Sequence, residues 1–157
     1  LKAVSHTNTY IQDMKIRGNQ VLSGTWGELW IDGQAILEFK KVEAKTSANR
    51  EDVQMGIDVD SKMTGLKGEI TVTVNKVYSS YNDVMKNYTQ GKDVRSQVIA
   101  KIGDPDAVNG QIERWSLDNV WWNDIPLFIA EKGALVEEEL TGGFTPSDAV
   151  NLDAIKR

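Results

Sequence analysis

The chain has 157 residues, of which 40% are hydrophobic and 26% charged, a size and composition that predict one domain of the soluble globular kind. The formal net charge of -5 argues against a protein that wraps nucleic acid, because such a protein needs a basic face to neutralise phosphates. The absence of cysteine excludes disulfides and thiolate metal sites, and no apolar run approaches the roughly 20 residues that span a bilayer.

The N-terminal segment is mixed polar and apolar, with Ile11 and Met14 among its apolar residues. We expect an arm over residues 1–20 that packs on another element or frays, followed by one domain over residues 21–157. The only histidine, His6, lies in this arm. A solvated histidine is favoured over a general base, and without a second histidine no zinc pair can form.

The first strand is predicted over residues 25–32, and it ends on Asp32-Gly33, a pair typical of a tight hairpin turn. The next strand is predicted over residues 34–47. Its apolar side chains change parity midway, and a one-residue shift moves every side chain to the other face. A β-bulge or bend near Lys40-Lys41 is therefore expected.

Residues 49–65 are highly charged and have no clean period, which predicts a long loop of the kind that is functional or disordered. The clearest strand follows over residues 66–78. There Ile70, Val72 and Val74 alternate with polar residues, giving one apolar and one polar face.

One helix is predicted over residues 80–90 from an apolar stripe at helical spacing, with Ser80 and Asp83 as a capping box and Gly91 as a stop. Further strands are expected over residues 94–102, 111–122 and 134–144, and the tail after Pro146 is either a short helix or extended. The fold class is thus mainly β: six or seven strands in a β-sandwich or open barrel, flanked by one α-helix.

Two acidic clusters raise the question of a metal site or an active site. Asp104, Asp106 and Asn109 favour a turn over a calcium loop, because the spacing of calcium ligands is absent. Glu137 and Glu139 share one face of a predicted strand, where glycosidase chemistry is the less favoured reading. A solvated face, or an acidic wall that lines a channel, fits them better.

The five tryptophans are Trp26, Trp30, Trp115, Trp121 and Trp122. Packing in a core or interface is favoured over a platform for stacking bases or sugars. The neighbours Trp121 and Trp122 should face opposite ways, one into the core and one towards a partner. No phosphate loop, dinucleotide fingerprint or nucleophile elbow is present, so no catalytic residue, cofactor or metal is assigned and the chain is not expected to be an enzyme.

The segment SGTWGELWIDG at residues 23–33 resembles the opening of the phage tail tube proteins of the XkdM-like family, found in phages and phage-derived bacteriocins. The likeness continues through MTGLKGEITV at 63–72, DPD at 104–106 and ERW at 113–115, and through the order of elements. Residues 1–20 form a longer arm than is usual in that family, and the ending EEELTGGFTP departs from its acidic strand followed by Pro-Phe-Thr-Phe.

The resemblance implies six-fold rings that stack into a hollow tube, in which each subunit lends two hairpins to a continuous inner β-barrel. The polar faces of the long strands then supply lumen-facing candidates: Glu38, Glu43, Lys45, Glu69, Thr71, Thr73, Asn75, Glu137, Glu139 and Thr141. The arm and the predicted loop supply inter-subunit candidates: Ile11, Met14, Arg50, Glu51, Asp52, Met55, Asp58, Asp60 and Lys62. A lumen rich in Glu and Thr would repel phosphates and let DNA pass.

The implied partners are further copies of the chain, a sheath protein if the tail contracts, tail terminator and baseplate proteins, and DNA in transient passage, with no membrane anchor. The implied location is the virion tail, assembled in the cytoplasm of the host bacterium. Three alternatives stay open: a type VI secretion tube protein, a monomeric carbohydrate-binding β-sandwich that uses its tryptophans, and a hydrolase that uses Glu137 or Glu139.

Overall fold

The computed structural model describes residues 16–79 and 81–157. After two short 3-10 turns at Gly18–Gln20 and Gly24–Trp26, the order is β1 (Gly27–Ile31), β2 (Gln34–Ala35), β3 (Phe39–Met55), β4 (Asp58–Asn75), α1 (Asn82–Thr89), β5 (Ser96–Ile102), β6 (Glu113–Asp124), β7 (Glu137–Phe144) and β8 (Ala149–Asp153). Two further 3-10 turns lie at Val108–Gly110 and Pro146–Asp148. The expectations for His6, Ile11, Met14 and the Ser80 cap fall outside the described residues.

The strands form one antiparallel sheet in the order β2-β1-β5-β6-β7-β4-β3, and β8 joins β6 from the side. Only residues 36–38 separate β2 from β3, so the chain links the two ends of this path and the sheet curls into an open barrel. The predicted mainly β fold with one α-helix is confirmed. The count is eight strands, because the strand predicted over residues 34–47 is divided into β2 and β3 and the tail pairs with β6 after a single 3-10 turn. No described helix has the length and apolarity that crossing a bilayer requires.

The core fills the inside of this open barrel with aliphatic side chains from both halves of the chain. Each such side chain contributes roughly 1.5–3 kcal/mol when fully buried. The inner residues of β4 alternate with half-buried neighbours, as the period-two pattern of this strand predicts. The buried hydrophobic cluster comprises Leu29, Ile70, Val72, Val74, Val98, Leu117, Val120, Trp122, Leu140 and Phe144.

The longest element is the β3–β4 hairpin, whose pairing continues out to Met55 opposite Asp58. The prediction of a loop over residues 49–65 is therefore wrong. This part of the hairpin stands clear of the body, and every residue in it except the half-buried Gly65 is exposed. Because neither face of these two strands is buried, their sequences show no alternation of apolar and polar residues. Sequence periodicity therefore does not predict them.

Local predictions elsewhere in the chain agree with the structure. Asp32 and Gly33 both adopt positive φ, at 52° and 80°, between β1 and β2, as their hairpin turn requires. The register of β3 against β4 shifts between Phe39 and Lys41, which confirms the bulge. α1 ends one residue before Gln90, and Gly91 follows at φ 76°.

Candidate assembly surface

Strands β3, β4 and β7 form a three-stranded sheet whose outer side we call the polar face. The pairings align its residues in rows, such as Glu43–Thr71–Thr141 and Lys41–Thr73–Glu139. The opposite side of the same strands supplies core residues. The face comprises Lys41, Glu43, Lys45, Ser47, Lys67, Glu69, Thr71, Thr73, Asn75, Glu137, Glu139 and Thr141.

Nine of the ten lumen candidates lie on this face, and Glu38 does not. Glu38 sits in the turn before β3, where its carbonyl oxygen accepts a hydrogen bond from the Asn75 backbone N–H at 2.9 Å. It lines an interior cavity instead of joining the rows. Leu37 and Glu38 form the turn between β2 and β3, so the strand alternation on which the assignment of Glu38 depended does not reach it.

The polar face is less acidic than the Glu- and Thr-rich wall expected from sequence, because lysines alternate with its glutamates. Lys41 lies 3.5 Å from Glu43, and Lys67 lies 3.5 Å from Glu69. Lys40, at the bulge, reaches Glu137 at 2.6 Å. Lys41 and Lys67 were missed as members of the face, although the odd-numbered alternation that selected Glu69 also includes Lys67. These ion pairs make the face nearly charge-balanced, so its repulsion of phosphates is weaker than a row of glutamates implies.

On the core side, β7 carries a buried acidic group. The Glu138 side chain is only 3% exposed, and its Oε1 forms an ion pair with Lys76 Nζ at 2.6 Å. Its Oε2 has no hydrogen-bond partner. Lys76 also lies 6.0 Å from the ring centre of Tyr81. This confirms that Glu138 faces away from Glu137 and Glu139.

Tyr81 closes one side of a cavity of about 510 Å³ that lies between the barrel and α1. Val74, Trp122 and Leu140 supply part of its apolar lining. Burial raises the pKa of Tyr81 to about 12, and the negative charges of Glu138 and Glu38 add to the effect. The hydroxyl therefore stays neutral at physiological pH and belongs to the packing of the domain.

Trp121 and Trp122 occupy opposite sides of β6, as predicted. Trp122 is buried in the core, and its indole N–H donates to Ser96 Oγ at 3.3 Å. Trp121 lies on the outer side against Gly143, where an added Cβ would stand 2.6 Å from its ring. The Arg95 guanidinium covers the same ring at 4.9 Å. These two tryptophans therefore do not form one platform for a ligand.

The described inter-subunit candidates all lie on the exposed part of the β3–β4 hairpin, residues 49–65, which we call the distal hairpin. Sequence analysis selected its charged residues and Met55. The structure adds exposed apolar side chains to the same hairpin: Val53, Ile57, Val59 and Met63, with Ile57 fully exposed at the tip. Exposed apolar residues grouped on one element are typical of an interaction site.

A second group of exposed apolar side chains lies on the β6–β7 loop, residues 125–136. It comprises Leu127, Phe128, Ile129 and Leu135. β7 starts opposite Asn75, at the end of β4 that is far from the hairpin tip. The loop therefore lies at one end of the strands and the distal hairpin at the other. The apolar run at residues 125–130 is the sequence feature that indicates this second group, and the inter-subunit candidates do not include it.

The acidic turn at residues 104–106 is structural. Asp104 is buried, and its two carboxylate oxygens accept from the backbone N–H groups of Ser23 and Asp106, each at 2.9 Å. It thus fastens the segment before β1 to the β5–β6 connection. Within the described residues no group of three or more acidic or histidine side chains is placed to hold a metal ion.

Comparison with known proteins identifies the family. A family model described as phage tail tube protein matches residues 14–151. Two Bacillus subtilis (strain 168) proteins, the phage-like element PBSX protein XkdM and the uncharacterised protein YqbM, are each 31% identical over 110 residues. Each match spans 68% of this chain and 74% of the relative.

Solved structures share the fold at low identity. The tube-terminating cap of the anti-feeding prophage superposes with a TM-score of 0.63 at 12% identity, covering 92% of this chain and 99% of the cap protein. A chain from the sheath–tube complex of an extracellular contractile injection system gives 0.57 at 11% identity, covering 94% and 98%. Together with the family match, these comparisons show that the chain belongs to the phage tail tube protein family, as a structural subunit of the tail tube.

Proposed function

We propose that copies of this chain form six-membered rings, that the rings stack into a hollow tube, and that the polar face lines the lumen. The observation that carries the proposal is the β3–β4–β7 sheet, which has a core side and a polar side but no neighbouring strand along the outer edge of β3 within the described residues. A long unpaired edge is a template for another strand. Closing such sheets into a barrel removes every edge.

Stacking is supported by the two groups of exposed apolar residues. The distal hairpin and the β6–β7 loop lie at opposite ends of the strands, and both present large apolar side chains. Two different surfaces at opposite ends of a subunit make head-to-tail contacts, which propagate as an open filament. In this arrangement Arg50, Glu51, Asp52, Met55, Asp58, Asp60 and Lys62 lie at contacts with the next subunit or ring.

The tube would conduct DNA in a phage, or pierce the target envelope in a phage-derived particle. The nearly balanced polar face supports passage without binding, because Lys40, Lys41 and Lys67 pair with glutamates and leave no continuous basic track. Residues 1–20 would act as an arm that contacts neighbouring subunits, and residues 21–157 would form the tube domain. Sheath, terminator and baseplate proteins would meet the outer surface and the two ends. Assembly would take place in the host cytoplasm, and the chain would have no enzymatic role.

Negative-stain electron microscopy of the purified full chain, over a range of protein and salt concentrations, tests this proposal. Hollow rings or tubes with six-fold symmetry are the expected result. A deletion variant replaces residues 50–63 by an Asn-Gly turn. It removes no buried residue, so the subunit should fold but should not stack. Compact monomers of the unaltered chain under every condition would contradict the proposal.

A further inference from the structure

The polar face has two lateral edges of different charge. One edge is β3, the last strand of the sheet, which presents Lys41, Glu43 and Lys45. The other edge combines the end of β6 with the first half of β7 and presents Asp124 and Glu139. Asp124 is placed on this side by Thr141, whose hydroxyl donates to its Oδ2 at 2.5 Å.

Three of the charges at these two edges have no ion-pair partner inside the subunit. Among the ion pairs of the described residues, none involves Lys45, Asp124 or Glu139, whereas Lys41 pairs with Glu43. Lys45 stands opposite Glu69 in the pairing, but Glu69 pairs with Lys67 instead. The remaining acid of β7 on this side, Glu137, is held by Lys40. One lysine at the β3 edge and two acids at the other edge are thus left without an ion-pair partner on one face.

The positive groups near the acidic edge do not compensate it. Arg95 lies over Trp121 on the end of β6, and Asp93 holds its guanidinium at 2.7 Å. Glu139 and Asp124 flank an open cleft whose other lining residues are uncharged: Met85, Tyr88, Thr89, Asn123, Ile125, Pro126 and Leu127.

We propose that the β3 edge of one subunit meets the Asp124–Glu139 edge of a second copy, and that Lys45 pairs with those two acids to fix the register between neighbours. This inference rests on the proposed ring. The geometry of strands explains why charge is needed. A slip of one residue is excluded because it exchanges the two faces of β3, whereas a slip of two residues keeps the faces. A two-residue slip replaces Lys45 at this contact by Glu43 or Ser47, so the acids of the partner copy would meet a like charge or a neutral side chain.

The topology is consistent with this contact. β7 is antiparallel to both β4 and β6, and β4 is antiparallel to β3. Placing the end of β6 from a second copy beside β3 therefore continues the antiparallel alternation around the ring. Six such contacts close the ring, so a small effect on one contact is multiplied in assembly.

Charge swapping tests the inference. Lys45→Glu and Asp124→Lys/Glu139→Lys should each raise the protein concentration needed for rings or tubes at least tenfold at low salt. The triple variant that combines them should return it to within about threefold of the unaltered chain. Lys156→Glu, in the exposed tail, changes the net charge as much as Lys45→Glu and should assemble normally.

The chain contains no cysteine, so an independent readout is available. Lys45→Cys and Glu139→Cys in the same subunit, treated with a short bis-maleimide in assembled tubes, should give a ladder of cross-linked species up to six subunits. Circular dichroism first establishes that every variant is folded. If the unaltered chain forms no rings, the proposed function fails. If it does, but both Lys45→Glu and Asp124→Lys/Glu139→Lys assemble normally, or the folded triple variant stays impaired, the register inference is overturned.

Discussion

Lys76→Met isolates the energetic role of the buried carboxylate of β7. Removing the ammonium leaves Glu138, which is 3% exposed, with neither oxygen paired, because Oε2 already lacks a partner. Breaking a buried pair from one side costs about 3–5 kcal/mol. Since the Lys76 side chain is 30% exposed, we expect a loss at the lower end of that range. The free energy of unfolding should fall by about 3 kcal/mol.

The matched control is Lys40→Met. Its ion pair with Glu137 has the same 2.6 Å separation, but the two side chains are 56% and 43% exposed. Water screens such a pair, so its loss should cost about 0–1 kcal/mol. The contrast between the two lysines depends on burial alone, because distance and charge are matched.

Urea unfolding of dilute monomer, followed by tryptophan fluorescence, measures both variants. Glu138→Gln/Lys76→Met should recover to within about 1 kcal/mol of the unaltered chain, because no charge then stays buried without a partner. A loss below about 0.5 kcal/mol in Lys76→Met, or a double variant no more stable than the single one, would refute this account of the pair.

Three further outcomes are expected. Gly143→Ala should lower the free energy of unfolding by about 1–3 kcal/mol and shift the emission of Trp121, because the new Cβ would stand 2.6 Å from the indole. Urea unfolding and fluorescence measure both effects, and an unchanged emission spectrum would contradict this prediction. Tyr81, whose pKa is raised to about 12 in the folded protein, should be mostly neutral at pH 11 in an NMR titration. Its contribution to the free energy of unfolding is therefore complete below about pH 10 and is lost as the pH rises through 12. Glu138→Gln should lower the pKa of Tyr81, and an unchanged pKa would exclude the contribution of the Glu138 charge. Ile57→Ser, at a fully exposed tip, should leave stability within about 0.5 kcal/mol yet raise the concentration needed for tubes in electron microscopy; normal tubes would remove the tip from the stacking contact.

Sequence reasoning succeeds where one side of an element is buried. The alternation of Ile70, Val72 and Val74 predicts both the strand and its inner face, because the core accepts only one of its two sides. The parity change in β3 predicts the bulge for the same reason. Asp32-Gly33 predicts its turn from backbone sterics alone, without any tertiary contact.

Sequence reasoning fails where neither side of an element is buried. Residues 49–65 pair with each other and with nothing else among the described residues, so their strands have no apolar side to reveal them. The assignment of Glu38 assumes one continuous strand over residues 34–47, but residues 36–38 lie between β2 and β3, where strand alternation does not hold. The Glu138–Lys76 pair was missed because Lys76 lies beyond the last residue of β4, where strand alternation no longer predicts direction.

The distal hairpin has a consequence for the kinetics of growth. A two-stranded ribbon in water is marginally stable, since it lacks a third strand or a packed face. Before assembly, the free energy that orders it has to come from its own hydrogen bonds and cross-strand pairs, such as Glu51 opposite Lys62. In the proposed six-membered ring, the first ring would order six ribbons at once, whereas each later subunit would order one ribbon against a surface that already exists. Under the proposed function the hairpin therefore favours slow initiation and fast elongation, so that tubes would grow only where a starting surface is provided.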